Sequence, residues 1–261
     1  MSKENDLSIL VLSCDKYSDL WNPLFCCFDK YWGDCPYEVF LGSNTRSFKH
    51  KRVKTILSGP DKDWSSSLRL ILQQIRTPYV FLWLDDIFPT ERVNTTLFAE
   101  TLGFMKEQKA KHIHVEPSPK PDRVLANGKY GLYEKGAPYR GITFGFWDVA
   151  YLQELLIAGE SPWNFEIMGS YRTAYTDGFY CSMKNIIPRI HVVEKGRIFQ
   201  EAYDYCSQHG IPLDTLKRPV LANGFHLKSE IQKVYFNTVI GLSWKTRLKT
   251  MNMLRKLLIS Y

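Results

Sequence analysis

The chain has 261 residues, 44% hydrophobic and 23% charged, with 16 Gly, 13 Pro and a formal net charge of +7. That length fits one large domain or two small ones, and the composition excludes disordered, collagen-like and low-complexity architectures. A chain of this size buries enough surface to fold without disulfides or a structural metal. The longest apolar run, Tyr79 to Leu84, is far short of the roughly 20 residues that span a bilayer. The start, MSKENDLS, is polar and carries no visible export signal. The six cysteines (14, 26, 27, 35, 181 and 206) form no CxxC pair and no zinc spacing, which predicts reduced thiols in a cytoplasmic protein.

Strand-like and helix-like segments alternate along the first two-fifths of the chain. Leu7–Ser13 reads as a buried strand ending in Cys14-Asp15, and Trp21–Trp32 as a helix. Strands follow at Tyr37–Leu41, closed by Gly42, and at Val53–Leu57, closed by Ser58-Gly59-Pro60. Asp63 is placed to cap an amphipathic helix over Trp64–Ile75, with Leu68, Ile71, Leu72 and Ile75 on one face. Thr77-Pro78 then breaks the chain into the strand Tyr79–Leu84, followed by Asp85-Asp86. Strands separated by helices predict a mostly parallel central sheet flanked by helices. Continuous apolar strands such as YVFLWL suit positions covered on both faces. Ligands bind such sheets at the carboxyl ends of the strands, here Ser13-Cys14-Asp15, Gly42-Ser43-Asn44, Ser58-Gly59 and Asp85-Asp86. Neither GxGxxG nor a Walker A loop is present.

Beyond Pro89 the pattern predicts a helix over Val93–Lys109 and a strand over His112–Glu116. The stretch 117–141, dense in Pro, Gly, Lys and Tyr, reads as a lid or binding loop. A strand over Ile142–Phe146, a helix over Val149–Ala158, a strand near Ile190–Val193 and a helix around Phe199–His209 complete the body.

Charge is unevenly distributed. From Lys217 to Tyr261 there are nine basic residues and one acid, Glu230, a balance of +8 that leaves −1 for the first 216 residues. The basicity therefore reads as a C-terminal appendage, and no nucleic-acid partner is expected. Ser243 to Tyr261 reads as a helix with Trp244, Leu248, Met251, Leu254, Leu258 and Tyr261 in one stripe. Lys245, Lys249 and Lys256 lie opposite, and Arg247 and Arg255 lie near the apolar side. This arrangement suits either a helix resting on an anionic membrane surface, so that the protein sits peripherally on the inner membrane face, or a terminal helix packed on its own domain.

The sharpest local signal is Leu84-Asp85-Asp86-Ile87-Phe88-Pro89. Neighbouring carboxylates resist joint ionisation, and a divalent cation relieves that cost. The alternative is an Asp that caps the next turn beside a solvated neighbour. The order LSILVLSCDKYSD, YEVFLGSN, DWSSSLRLILQQIRTPYVFLWLDDIFP resembles the nucleotide-binding half of a GT-A glycosyltransferase. It is similar in particular to the small bacterial enzymes that build surface polysaccharides such as capsule and lipopolysaccharide. The resemblance covers roughly residues 7–90 and implies a Rossmann-like GT-A fold over 1–240, with a donor half of about 1–116 and an acceptor half of about 117–240. Residues 241–261 form the basic amphipathic helix.

The resemblance further implies that Asp86 contacts the metal or diphosphate of a nucleotide-sugar donor, with a UDP-sugar favoured, and that Asp85 contacts the ribose or sugar. The cation would be Mn or Mg, although Ile87 stands where the family's acidic motif often has a third acid. Ser13 and Asp15 fall where the family cradles the base, Asp15 being equally suited to a turn cap. Asp63 and Trp64 fall near base and ribose, Trp64 being equally suited to the core. Ser161-Pro162-Trp163-Asn164-Phe165-Glu166 looks like the acceptor-side segment. There Glu166 would be the catalytic base, or else a capping or salt-bridging residue, and Trp163 a wall that desolvates it and stacks on a sugar. Arg172 could meet a phosphate or pair with Glu166. Asp148 is the second-choice base, or a helix cap. His191 opens the run HVVEKGRIFQEA, in which Lys195 and Arg197 could meet phosphate charge; His191 and His226 are otherwise structural.

The expected activity is transfer of a hexosyl group, with inversion, to a hydroxyl of a glycan or lipid-linked acceptor. The alternatives are a sugar nucleotidyltransferase, disfavoured because Ser13-Cys14-Asp15-Lys16 replaces a glycine-rich loop, and a non-catalytic nucleotide- or sugar-binding relative.

Overall fold

The computed structural model describes residues 6–221, 238–239 and 241–258. Its centre is a parallel sheet of β1 (Leu7–Leu12), β2 (Glu38–Ser43), β3 (Val53–Leu57) and β4 (Tyr79–Leu84), in the order β3-β2-β1-β4. Ile9 lies beside Val39 on one side and Phe81 on the other. β1 runs its six residues without an exposed position because both faces of the sheet are covered. Leu7, Ile9 and Val11 join Phe81 and Trp83 in one cluster with Leu24, Phe28 and Trp32 of α1 (Trp21–Trp32) and Phe98 of α3 (Thr95–Glu107). The alternate residues Leu10, Leu12, Val80 and Leu82 join Leu68, Ile71 and Leu72 of α2 (Trp64–Leu72), Leu152 of α4 (Val149–Leu155) and Phe165 of α5 (Pro162–Arg172). Side chains alternate across a strand, so one continuous apolar run supplies both layers.

Beyond β4 the sheet continues through β9 (Gly145–Asp148), β6 (His112–His114), β10 (Phe179–Ser182), β8 (Tyr130–Tyr133) and β7 (Arg123–Val124). Among the described residues, β8 and β9 run against the other seven strands of this sheet. The architecture is mixed α/β, a mainly parallel central sheet flanked by helices, as the alternation of segments predicted. Cys27, Cys181 and Cys206 are buried, and the cysteines are free thiols.

Four readings are revised or narrowed. The strand expected over Ile142–Phe146 starts three residues later, at Gly145, and lies antiparallel between β4 and β6. A Cβ at Gly145 would stand 2.7 Å from the Ile113 carbonyl oxygen and from the His112 ring, so glycine sets where the chain can enter the sheet. The stretch 117–141 is no lid. It supplies β7 and β8 to the sheet, and it ends at the fully buried Arg140, which donates to the carbonyls of Glu134 (3.0 Å), Thr173 and Thr176 (2.5 Å) and stacks 4.2 Å over Phe179. Those carbonyls include the C-terminal end of α5, where a cation satisfies groups the helix leaves unpaired.

The third is Asp148, read as second-choice base or helix cap, where the cap is the reading that holds. It pairs in register with Tyr79, the first residue of β4, and so lies at the edge of the sheet opposite Asp85, where it caps α4 through Tyr151 N–H at 2.8 Å. The fourth concerns the terminal helix α7 (Trp244–Leu258). Its stripe turns inward: Arg247 and Leu248 are buried, and their side chains and that of Met251 pack against Gly136. Arg247 is ion-paired with Asp122. Arg247, near the apolar side, thus belongs to an internal pair, and Leu248 and Met251 of the stripe pack on the protein, while the side chains of Leu254, Arg255, Leu258 and Tyr261 lie outside the described residues. No helix among the described residues is long and apolar enough to cross a membrane.

Candidate active site

The strand order changes direction between β1 and β4, and the crevice beyond the carboxyl ends of those strands is where such sheets bind ligands. Ser13 follows β1 and Asp85 follows β4. The Ser13 hydroxyl donates to Asp85 Oδ2 and accepts from Trp21 Nε1 at 2.7 Å. Asp85 is buried. Burial, then the adjacent charge of Asp86, holds its carboxyl well above the usual range, against the hydrogen bond from Ser13 and the more distant Arg218. Asp86 is half-buried, and burial pushes it up to about 6. Its own backbone N–H and Arg218 pull it down, and the charge of Glu166 pushes it up.

Glu166 reaches this edge from α5. Ser161 caps that helix by accepting from Asn164 N–H at 3.2 Å, with Pro162 at the first helical position. Glu166 Oε1 accepts from the backbone N–H of Thr143 at 2.8 Å and from its hydroxyl at 2.7 Å. Thr143 is two residues before Gly145, which pairs with Leu82, so it falls beside the end of β4. Burial raises the Glu166 carboxyl above its ordinary range, while both Thr143 hydrogen bonds oppose that shift. Three carboxylates from two segments, Asp85 and Asp86 after β4 and Glu166 of α5, therefore meet at one sheet edge.

The remaining sequence candidates divide. Asp15 accepts from the backbone N–H groups of Thr45 (3.1 Å) and Arg46 (3.1 Å) and from the Thr45 hydroxyl, which ties the loop after β2 to the loop after β1. Burial would raise its pKa, but these bonds win and lower it. Its oxygens are occupied in building the crevice wall. Asp63 caps α2 through Ser66 N–H (2.8 Å) and Oγ (2.7 Å), which also lowers it against burial. Trp64 packs 5.3 Å from Phe165 and joins α2 to α5.

Trp163 is 65% exposed and stands one turn before Glu166, whose carboxyl is raised by burial. Arg172 makes a two-pronged pair with Glu160 at 2.7 and 2.8 Å; its partner is neither Glu166 nor an open phosphate site. His191 is an exposed residue of β11 (Arg189–His191), paired with Ile87 of β5 (Ile87–Pro89). The next residue, Val192, donates its N–H to the Asp86 carbonyl at 2.7 Å, so this run does border the acidic motif. Lys195 and Gly196, both at positive φ, form the tight turn between β12 (Val193–Glu194) and β13 (Arg197–Phe199), and Lys195 and Arg197 are exposed. His226 lies outside the described residues.

Sequence reasoning missed Arg218. It is buried, donates to Asp19 through Nε (2.6 Å) and Nη2 (3.0 Å) and to the Lys16 carbonyl (3.0 Å), and stacks 4.1 Å over Tyr17. Lys217 joins the same carboxylate and the same carbonyl. These partners belong to the 3-10 helix Asp15–Leu20 directly after Ser13, which brings a fixed cation close enough to act on Asp85 and Asp86. Two charges counted with the C-terminal appendage are thus part of the crevice wall. Among the described residues no group of three or more His, Cys, Asp or Glu side chains has metal-site geometry. The Asp85-Asp86 pair offers two carboxylates.

No family model matches the sequence, and no curated protein matches it. Among solved structures the chain is similar to S. aureus TarS 1-349, with 11% identity and a TM-score of 0.45 over 70% of this chain and 59% of that one. It is similar also to TarS 1-349 in complex with UDP-GlcNAc (12% identity, TM-score 0.43, 77% and 64% covered). For the complex with UDP the values are 12% identity, a TM-score of 0.39, and 67% and 59% covered. The chain spans about three-fifths of the length of these TarS chains.

Proposed function

We propose that the protein is a nucleotide-sugar glycosyltransferase that moves a hexosyl group, with inversion, from a UDP-sugar to a hydroxyl of a glycan or lipid-linked acceptor, of the kind used in bacterial surface polysaccharides. The convergence of Asp85 and Asp86 with Glu166 at the switch point of the sheet is the observation that carries this reading. It supplies acid residues on two sides of one crevice, one set for the donor and one for the acceptor.

In the proposed step the acceptor hydroxyl oxygen attacks the anomeric carbon, the bond from that carbon to the diphosphate oxygen breaks, and the hydroxyl proton passes to Glu166. Glu166 suits this role because its pKa lies above that of an ordinary carboxylate, nearer the working pH, and Thr143 fixes its orientation. The nucleoside diphosphate leaves with the bonding pair. Asp85, tied to Ser13, faces the ribose or sugar, and Asp86 faces the diphosphate.

Two adjacent carboxylates whose ionisation burial opposes form a donor set that a divalent cation relieves, and Mn or Mg takes one or two carboxylates plus phosphate oxygens. Asp86 would hold such a cation, which would neutralise charge on the departing diphosphate. Arg218 keeps the wall behind the pair positive.

Glu166→Gln is the test. Turnover of a UDP-sugar should fall by about a hundredfold or more while UDP still raises the melting temperature. Near-normal turnover removes Glu166 from the step. If UDP, with or without Mn, leaves the melting temperature of the wild-type protein unchanged, the donor reading is wrong.

A further inference from the structure

The outward side of α5 is unusual for a helix beside a crevice. At 100° per residue Trp163, Ile167 and Tyr171 form one stripe, with Asn164 and Met168 next to it. Trp163, Ile167, Met168 and Tyr171 are all exposed, and no charged residue lies in that arc. Exposed Tyr175 extends the stripe beyond the helix, and its hydroxyl donates to Asn252 of α7. Contiguous exposed apolar residues of this kind mark an interaction surface.

Charge identifies the partner. α7 contains no acidic residue, and its exposed Lys245 and Lys249 lie two turns and one turn before Met253, also exposed, on the flank next to Asn252. An apolar stripe with Trp and Tyr, with Lys245 and Lys249 on its α7 side and the nearby Asp177 paired to Lys135, matches the interface of an anionic bilayer, where amphipathic rings sit at headgroup depth and lysines meet lipid phosphates.

We infer that the exposed stripe Trp163, Ile167, Tyr171 of α5, with Met168 and Tyr175, rests in the interface of an anionic lipid bilayer, with Lys245 and Lys249 of α7 on the headgroups. The face used is α5, not Leu248 and Met251 of α7, which pack on Gly136. Glu166 stands one turn after Trp163 at the border between this face and the buried side of α5, so a lipid-linked acceptor would enter the site from the membrane plane. This last step rests on the transferase reading, whereas the surface itself does not.

The test is sedimentation of the full chain with vesicles of phosphatidylglycerol and phosphatidylcholine, and with vesicles of phosphatidylcholine alone. The wild-type protein should sediment with the anionic vesicles, less so as salt rises. The triple variant Trp163→Ala, Ile167→Ala, Tyr171→Ala should lose about tenfold or more in partitioning. Lys245→Ala and Lys249→Ala should each lose about fivefold. Leu57→Ala and Leu70→Ala, which trim exposed apolar residues elsewhere, should change nothing.

Because the stripe is exposed, the triple variant should unfold like wild type and keep its UDP-induced shift in melting temperature. Equal sedimentation of the triple variant overturns the proposal, as does failure of the wild-type protein to bind anionic vesicles. A dimer in solution that the triple variant abolishes, without vesicle binding, assigns the stripe to a second copy instead. Vesicle binding through the stripe without any nucleotide binding keeps the surface and removes the transferase reading.

Discussion

Ser13 stands between Trp21 and Asp85: its hydroxyl accepts from the indole Nε1 at 2.7 Å and donates to the carboxylate. One hydroxyl thereby joins the end of β1, the start of α1 and the end of β4, the three elements that meet at the switch of strand order. Ser13→Ala removes the partner of a buried N–H and of a buried carboxylate together. Leaving such groups unsatisfied costs about 1–3 kcal/mol. The urea midpoint should fall accordingly, and nucleoside diphosphate should produce a smaller rise in melting temperature because Asp85 loses its orientation. An unchanged midpoint would mean that water replaces the hydroxyl without loss.

Asp86 carries a cost in stability whose sign can be worked out. Its folded pKa of about 6 lies above the ordinary carboxyl value, so between these values the folded state binds more protons than the unfolded one. The stability linked to this group is present below the unfolded pKa and is lost as pH rises through about 6. Asp86→Asn should therefore raise the urea-unfolding free energy at pH near 8 by roughly 1–3 kcal/mol and change little at pH near 4. The same variant should lose the extra melting-temperature shift that Mn gives in the presence of UDP. Equal effects at both pH values would show that burial of the charge is not what the variant relieves.

Much of the frame was legible because local signals coincide with tertiary ones. The strand YVFLWL is apolar at every position, and both layers of the core use it; Asp63 before an apolar period is the cap it resembles. Misreadings arose where a long-range partner decides. Asp15 is a carboxylate after a strand, and such a position suits a ligand or a cap equally until Thr45 and Arg46, far along the chain, are seen to bond it. Strand β10 was missed because FYCS is short and its place between β6 and β8 depends on residues far along the chain. Net charge gave the sign of the C-terminal stretch but not its location, which is why Arg218 and Arg247 are counted with a basic appendage when they are buried against Asp19 and Asp122.

Arg218 offers the sharpest check on that correction. Removing one member of a buried pair leaves the other uncompensated, a loss of about 3–5 kcal/mol. Arg218→Ala should show a loss of this size in urea unfolding, and Arg218→Lys a smaller one, since lysine keeps the charge but not the fork on Asp19 or the stack on Tyr17. Arg218 also pulls Asp86 down, so in the alanine variant the Asp86 carboxyl should titrate above about 6 when followed by carbon-detected NMR. If alanine and lysine behave alike and the Asp86 titration does not move, Arg218 is a packing residue with no electrostatic reach into the crevice.

His112 and His114 predict the opposite pH dependence to Asp86. Both are fully buried on β6, their rings 4.7 Å apart. His112 Nδ1 contacts the Phe146 carbonyl at 2.7 Å, its Nε2 has no hydrogen-bond partner among the described residues, and its ring stacks 4.1 Å from Trp147. Burial, and then the neighbouring His114, holds His112 well below its ordinary range, and burial lowers His114 to about 4. A depressed folded pKa means that the unfolded chain takes up protons first as pH falls. Stability tied to these rings is thus complete above about 6.5 and is lost on the way down towards pH 4. His112→Asn keeps a donor near the Phe146 carbonyl and removes one titrating group. It should lower stability at pH 7.5 through lost packing, yet flatten the fall in urea-unfolding free energy between pH 6.5 and pH 4.5 by up to about 1.4 kcal/mol per pH unit. Parallel curves for the two proteins would place the acid sensitivity elsewhere and show that the β6 ring remains neutral without cost.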